Sequence, residues 1–74
     1  MAENIDKLIK MVENLENDFQ NMNKENPQSI AMIKDRAQML IPVIKISKDE
    51  PINAHLEDVY EDLEHRVAMI ISQF

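Results

Sequence analysis

The side chains most capable of chemistry in this 74-residue sequence are concentrated in the segment HLEDVYEDLEH, which runs from His55 to His65. If that segment is helical, Asp62 and Glu61 both stand about one turn before His65, a spacing that helical metal sites use. Such sites also need inward-facing carboxylates from other helices. Here Glu61, Asp62 and His65 fall on the helical wheel away from the apolar stripe of their own segment. We therefore expect a solvated face and no bound metal.

The sequence has few residues that could act as a catalytic nucleophile. The serines, Ser29, Ser47 and Ser72, lie near the ends of predicted helices, where hydrogen bonding to the backbone explains them. Glycine is absent, which excludes the tight turn that presents a catalytic serine, as well as phosphate-binding loops and dinucleotide-binding turns. We predict a protein that is not an enzyme and that uses no cofactor.

Net charge and hydropathy argue against nucleic acid and membranes as direct partners. The chain has a formal net charge of −6 and one tyrosine and two phenylalanines as its aromatic residues, whereas phosphate contact needs clustered cations and stacking rings. Its longest uninterrupted aliphatic run, Val67–Ile71, is far shorter than the roughly 18 residues that span a bilayer. The N-terminal segment is amphipathic rather than signal-like, so we expect a cytoplasmic protein.

The same carboxylates suggest one alternative function. Between Asp49 and Glu64 there are seven acidic residues and no lysine or arginine. Such a surface could dock onto a basic partner or imitate nucleic acid. The alternative is therefore an acidic inhibitor, for instance one encoded by a phage or mobile element, that blocks a nucleic-acid-binding protein. The residues that would carry this function are Glu57, Asp58, Glu61 and Asp62. A charged face that merely keeps the protein soluble is the simpler interpretation.

Apolar periodicity predicts three helices, at about residues 4–23, 27–46 and 50–72, in a single domain that spans residues 1–74. The first helix has a heptad seam with spacings of three and four. Its members are Ile5, Leu8, Val12, Leu15, Phe19 and Met22. The core face of the third helix consists of Ile52, Leu56, Val59, Leu63, Val67, Ile70 and Phe74, widened by Tyr60 and Ile71. Short connections make sequential helices antiparallel neighbours, so we predict an all-α, short antiparallel three-helix bundle.

Asparagine, aspartate and proline mark the helix boundaries. Asn4 can cap the first helix. Asn26 can cap the second helix, with Pro27 at its first position, where the missing backbone N–H costs nothing. Asp49 and Pro51 can play the same roles for the third.

The middle helix is apolar on two sides. One stripe consists of Ile30, Ile33, Ala37, Leu40 and Ile44. A second stripe consists of Met32, Met39, Val43 and Ile46. At about 100° per residue, the two stripes are centred roughly 130° apart. A 74-residue bundle has a thin core, and this arc is wide enough to serve both that core and a second chain.

Pro42 lies in the middle of this apolar stretch and leaves the carbonyl of Gln38 without its usual helical partner. We expect helix two to be kinked or to end near Pro42. A kink would either wrap the helix around its own core or turn the second stripe outward, toward another molecule.

Charge is segregated along the chain. Residues 1–26 have six acids against three lysines, residues 27–48 have four cations against one acid, and residues 49–74 have seven acids against one arginine. A basic helix therefore lies between two acidic ones. We expect ion pairs on both sides of it, each worth less than about 1 kcal/mol where exposed.

These patterns favour a non-enzymatic protein–protein interaction module, an adaptor or small chaperone-like subunit. We predict that it binds a partner helix or a second copy of itself, as a homodimer, through the second apolar face of helix two. The predicted partner-binding residues are Met32, Arg36, Met39, Val43 and Ile46.

Overall fold

A computed structural model describes residues 3–74, with side chains described from Ile5 onward. It contains three α-helices, α1 (Glu3–Asn21), α2 (Pro27–Asp49) and α3 (Glu57–Ile71), and a short 3-10 helix, Pro51–Leu56, that leads into α3. No β-strand occurs within the described residues. The predicted all-α, three-helix bundle is therefore confirmed.

Successive helices run antiparallel in a body that measures 42 × 18 × 15 Å. Asp18, near the end of α1, pairs with Arg36 in the first half of α2 at 2.6 Å. Lys48, at the end of α2, lies 3.7 Å from the carboxylate of Glu61 and 3.3 Å from that of Glu64 on α3. The basic helix α2 thus contacts acidic residues on both of its neighbours, as the segregation of charge predicted.

The core is formed where the apolar seams of the three helices meet. Its buried side chains are Ile5, Leu8, Val12 and Leu15 from α1, Ile33, Ala37, Leu40 and Ile44 from α2, and Tyr60, Leu63, Val67 and Ile70 from α3. At one end of the bundle the rings of Phe19 and Phe74 meet edge to face, with centroids 5.8 Å apart. The predicted seams of the first two helices are therefore the ones that build the core.

A bidentate ion pair joins α1 to α3. The guanidinium of Arg66 donates to both carboxylate oxygens of Glu16, with a distance of 3.1 Å from Nε to Oε2. This pairing, with the nearby carboxylate of Asp62, raises the pKa of Arg66 above its ordinary value. Since both side chains of the pair are about two-thirds buried, the contact fixes how α3 lies along α1.

The start of α2 follows the predicted capping. The side-chain oxygen of Asn26 accepts a hydrogen bond from the backbone N–H of Gln28 at 3.0 Å, and Pro27 occupies the first helical position. The sequence predicts Asn4 as the cap of the first helix. Helix α1 instead starts at Glu3, so Asn4 lies inside the helix and not at its cap. The start of α2 therefore has the predicted cap, whereas the start of α1 is shifted by one residue.

Helix α2 does not end near Pro42. It continues through the proline to Asp49, three residues beyond its predicted end. Leu40 and Ile44, on either side of Pro42, are both buried in the core, and their packing offsets the loss of one backbone hydrogen bond. Tertiary packing therefore keeps helical a segment that local chemistry alone would interrupt.

The third predicted helix is two elements, which corrects the sequence prediction. Residues 51–56 form the 3-10 helix, whose N-cap is Glu50 instead of the predicted Asp49. Ile52 is 64 % exposed, and Val59 is also exposed, so neither belongs to the core as predicted. Phe74 is exposed as well, apart from its contact with Phe19. The change of helix type rotates the residues before α3 out of the register of a single straight helix.

A buried polar cluster explains why residues 51–56 form a 3-10 helix and not the start of a longer α3. Asn53 is buried, and its amide donates to the main-chain carbonyl of Ser47 at 2.9 Å. The hydroxyl of Ser47 in turn donates to that of the fully buried Tyr60 at 2.8 Å. One residue each from the end of α2, the 3-10 helix and α3 is thereby joined by hydrogen bonds.

Replacing Pro42 with alanine should stabilise the bundle. Pro42→Ala restores a backbone donor to the carbonyl of Gln38 and removes the steric clash, so we expect a gain of up to about 3 kcal/mol in the free energy of unfolding, measured by urea titration. Pro27→Ala is the matched control and should change little, since Pro27 is already at a favourable first position. A loss of stability in Pro42→Ala would show that the core requires the proline.

Removing the amide of Asn53 should destabilise the fold. Asn53→Ala deletes the hydrogen bond to Ser47 in a buried place, and we expect a loss of about 1 kcal/mol in urea titration. Asn14→Ala, at an exposed position of α1, should be neutral or slightly stabilising because alanine is the better helix former. Equal effects of the two substitutions would argue that the Asn53 contact does not matter.

Candidate protein-binding groove between α1 and α2

The second apolar stripe of α2 remains at the surface. We call Met32, Arg36, Met39, Val43 and Ile46 the outer seam; their spacings of four, three, four and three continue a heptad repeat. The exposed fractions of its apolar members are 66 % for Met32, 70 % for Met39, 44 % for Val43 and 67 % for Ile46. Helix α2 therefore has two heptad seams, of which the bundle buries one.

Helix α1 forms a wall beside the outer seam. Three depressions lie between the two helices. The first, of about 460 Å³, is lined by Lys7, Leu8, Met11, Val43, Ile46, Ser47 and Glu50. The second, of about 210 Å³, is lined by Met11, Arg36, Met39, Leu40 and Val43. The third, of about 220 Å³, is lined by Asp18, Met22, Ser29, Met32, Ile33 and Arg36. Because neighbouring depressions share residues, they form one continuous α1–α2 groove.

Charged residues flank the part of the groove that Met11, Met39 and Val43 line. The Arg36–Asp18 ion pair crosses it where the second and third depressions meet, with both side chains about half exposed. Lys7 and Glu50 line the opposite end. An exposed pair of this kind contributes under about 1 kcal/mol, so Arg36 can exchange Asp18 for another carboxylate at little cost.

The apolar part of the groove is rich in methionine. Met11 from α1 faces the same depressions as Met39 and Val43 from α2, and Met32 lies beyond Arg36. Methionine is unbranched and polarisable, and proteins use it at surfaces that adapt to a partner. A cleft of similar size, about 440 Å³, lies between α2 and α3, but its lining includes no methionine. The methionine-lined depressions are therefore those between α1 and α2.

All five predicted partner-binding residues line this groove. Sequence reasoning missed the contribution of α1, namely Lys7, Met11 and Asp18, and it did not assign Glu50 to the site. A signal was present in the spacing, since Lys7, Met11 and Asp18 are four and seven residues apart and so follow one edge of the α1 core seam. Which edge would face α2 could not be read from one helix alone.

The carboxylates of α3 form a separate exposed surface, which we call the acidic face: Glu57, Asp58, Glu61 and Asp62. Glu61 lies 3.7 Å from Lys48, and Asp62 lies 3.7 Å from Arg66. Glu57 and Asp58 are in the first turn of α3, where negative charge is favoured by the helix dipole. Contacts within the chain thus account for much of this face.

Lys48 marks the boundary of the acidic face. The carboxylate of Glu64, 3.3 Å from the Lys48 amine, together with the nearby charges of Glu61 and Glu57, raises the pKa of Lys48 above its ordinary value, against the opposing effect of desolvation. His55 and His65 are both exposed. Among the side chains that the structure describes, no three of histidine, aspartate or glutamate come together in a way that could hold a metal ion.

Comparisons with known proteins give no indication of function, so the functional argument rests on the groove. No protein-family model, no curated protein and no solved structure matches the chain. Within residues 3–74, none of the helices combines the length and the apolar character needed to cross a bilayer.

The outer seam should be dispensable for folding, in contrast to its buried neighbours. Met39→Gln changes a side chain that is 70 % exposed, so in dilute solution we expect the free energy of unfolding to stay within about 0.5 kcal/mol of the wild type. Leu40→Ala, one residue away in the core, should cost about 2–5 kcal/mol. A large loss in the free energy of unfolding of Met39→Gln, measured by urea titration, would show that Met39 stabilises the fold.

Proposed function

We propose that the protein is a non-enzymatic protein–protein interaction module, an adaptor or small chaperone-like subunit that holds a helix of another polypeptide chain in the α1–α2 groove. The observation that carries this proposal is the outer seam, a heptad row of large apolar side chains that the bundle leaves exposed. Contiguous exposed apolar surface of this kind is typical of interaction sites in soluble domains.

A helix is the occupant that suits the groove. The outer seam extends from Met32 to Ile46, which at 1.5 Å per residue is about 21 Å, or four turns. Spacings of three and four residues are those at which one helix packs against another. An amphipathic helix packed along the outer seam would place its own apolar row against Met39 and Val43, with Met11 of α1 beside it, as in helix-in-groove recognition.

The energetics favour a reversible complex. Fully burying a large apolar side chain gains about 1.5–3 kcal/mol, and the four apolar members of the outer seam begin between about half and two-thirds exposed. Their combined gain is several kcal/mol, and association itself costs on the order of 4–15 kcal/mol. Apolar side chains supplied by the occupant must therefore contribute as much again, and exchange of partners remains feasible.

The acidic face offers the second candidate, an inhibitor that blocks a nucleic-acid-binding protein. Its support is the exposure of Glu57, Asp58, Glu61 and Asp62 on one helix. It is the weaker candidate because Glu61 and Asp62 already have cationic neighbours within the chain. An inhibitor of this type would lose binding steeply as salt is raised, whereas binding at the groove, whose contacts are mainly apolar, would depend on salt much less.

Site-specific photo-crosslinking in the cells that naturally produce the protein tests the proposal. A photoreactive amino acid at Met39 should form covalent adducts with another polypeptide chain, because Met39 is exposed in the middle of the groove. The same amino acid at Met69, which is exposed on α3 and does not line the groove, is the matched control and should give few adducts.

Equal yields of adducts at Met39 and Met69 would contradict a role for the groove. Adducts from a photoreactive residue at Asp58 but not at Met39, lost at high salt, would instead support the acidic inhibitor.

A further inference from the structure

We infer that the partner that covers the α1–α2 groove is a second copy of this chain, packed face to face so that its α2 runs antiparallel over α2 and its α1 over α1, across a two-fold axis that passes beside Met11 and Val43. The inference rests on the proposed function and specifies its partner. It follows from the placement of charges in the groove and from the register between α1 and α2.

The charges of the groove are self-complementary. Arg36 and Asp18 lie at one end of the part of the groove that Met11 and Val43 line, and Lys7 and Glu50 lie at its other end, so each end of that part carries one cation and one anion. When two copies meet face to face and antiparallel, the Arg36 end of one lies over the Glu50 end of the other. Arg36 then faces Glu50 of the second copy, and Lys7 faces Asp18 of the second copy. A two-fold axis forms each of these pairs twice.

Both charge pairs are centred at the same level of the bundle. Arg36 and Glu50 lie seven residues on either side of Val43, or about 10 Å along the helix. Lys7 and Asp18 are centred just after Val12 on α1. Met11 lines the same depressions as Val43, so these two midpoints are within about one turn of each other. A single axis therefore satisfies all four charged residues.

The same axis brings the apolar side chains together. Met39 and Ile46 lie one turn on either side of Val43, so Met39 of one copy comes level with Ile46 of the other. The arrangement thus pairs three exposed apolar residues of α2, namely Met39, Val43 and Ile46.

The size and charge of the face suit a weak, reversible dimer. An axis at Val43 overlaps the two copies from Arg36 to Glu50, about 21 Å along a bundle 18 Å across, which is less than the roughly 800 Å² per partner of a standard interface, so we expect the dimer to dissociate on dilution. Each chain carries a net charge of −6, but Glu57, Asp58, Glu61 and Asp62 do not line the groove. Two copies can therefore meet at a surface whose own charges balance.

Engineered cysteines test the axis directly, because the natural chain has no cysteine. A residue beside a two-fold axis lies next to its own symmetry mate, so Val43→Cys should form a disulfide-linked dimer under mild oxidation, seen on a non-reducing gel. Met32→Cys is the matched control. Its symmetry mate would be roughly 30 Å away, far beyond the Cα separation of about 4.4–6.8 Å that a disulfide allows, so it should stay monomeric on the gel.

Charge reversal tests the antiparallel orientation in a second, independent way. Arg36→Glu and Glu50→Arg each place like charges opposite one another twice per dimer, so each should raise the dimer dissociation constant by roughly tenfold in sedimentation equilibrium. The double variant restores both pairs and should return to within about threefold of the wild type. Thermal melts by circular dichroism confirm folding, and Glu50→Arg leaves the Arg36–Asp18 ion pair intact.

Four results would overturn the antiparallel pairing with a second copy. Equal cross-linking of Val43→Cys and Met32→Cys would indicate parallel or non-specific association, and failure of the double variant to recover would exclude the antiparallel pairing. A wild-type chain that stays monomeric at every concentration, while Met39 photo-crosslinks a different protein in cells, would overturn the dimer and leave the proposed function standing. A monomer with no adducts at Met39 would overturn both.

Discussion

The three helices are assembled on the inner seam of α2, where Ile33, Ala37, Leu40 and Ile44 are buried. Ala37 is fully buried and has the smallest side chain of the core, which lets the neighbouring helices approach α2 closely. Because α1 and α3 both pack against this one side, the opposite side of α2 has no neighbour in the bundle. The open α1–α2 groove is therefore a direct consequence of how the core is built.

Helix number, topology and the two faces of α2 could be predicted from the sequence because each depends on local pattern. The heptad spacing of Ile5, Leu8 and Val12 identifies a buried face without knowledge of its partner. The Asn26–Pro27 boundary is likewise set by chemistry within a few residues of the chain. The exposed part of the outer seam was predictable for the same reason, since two apolar stripes on one helix cannot both face a core this small.

The remaining features depend on contacts between elements, which periodicity does not encode. Tyr60 can be fully buried because the hydroxyl of Ser47 donates a hydrogen bond to its hydroxyl. Asn53 can be buried because its amide donates a hydrogen bond to the carbonyl of the same serine. These hydrogen bonds, from a different helix, explain why the 3-10 segment replaces the start of a longer α3. The α1 wall of the groove, with Met11 at its centre, could be assigned only once the side of α1 that faces α2 was known.

The central claim is that the groove, which a single chain leaves open, is covered by a second chain in solution. The methionines are built-in probes, because Met11 and Met39 line the groove whereas Met69 is exposed elsewhere on α3. The most direct measurement is NMR of their methyl groups with a soluble paramagnetic agent, from dilute to concentrated protein. We expect the methyl groups of Met11 and Met39 to become protected as concentration rises, while that of Met69 stays accessible. Equal accessibility of all three at every concentration would contradict the account.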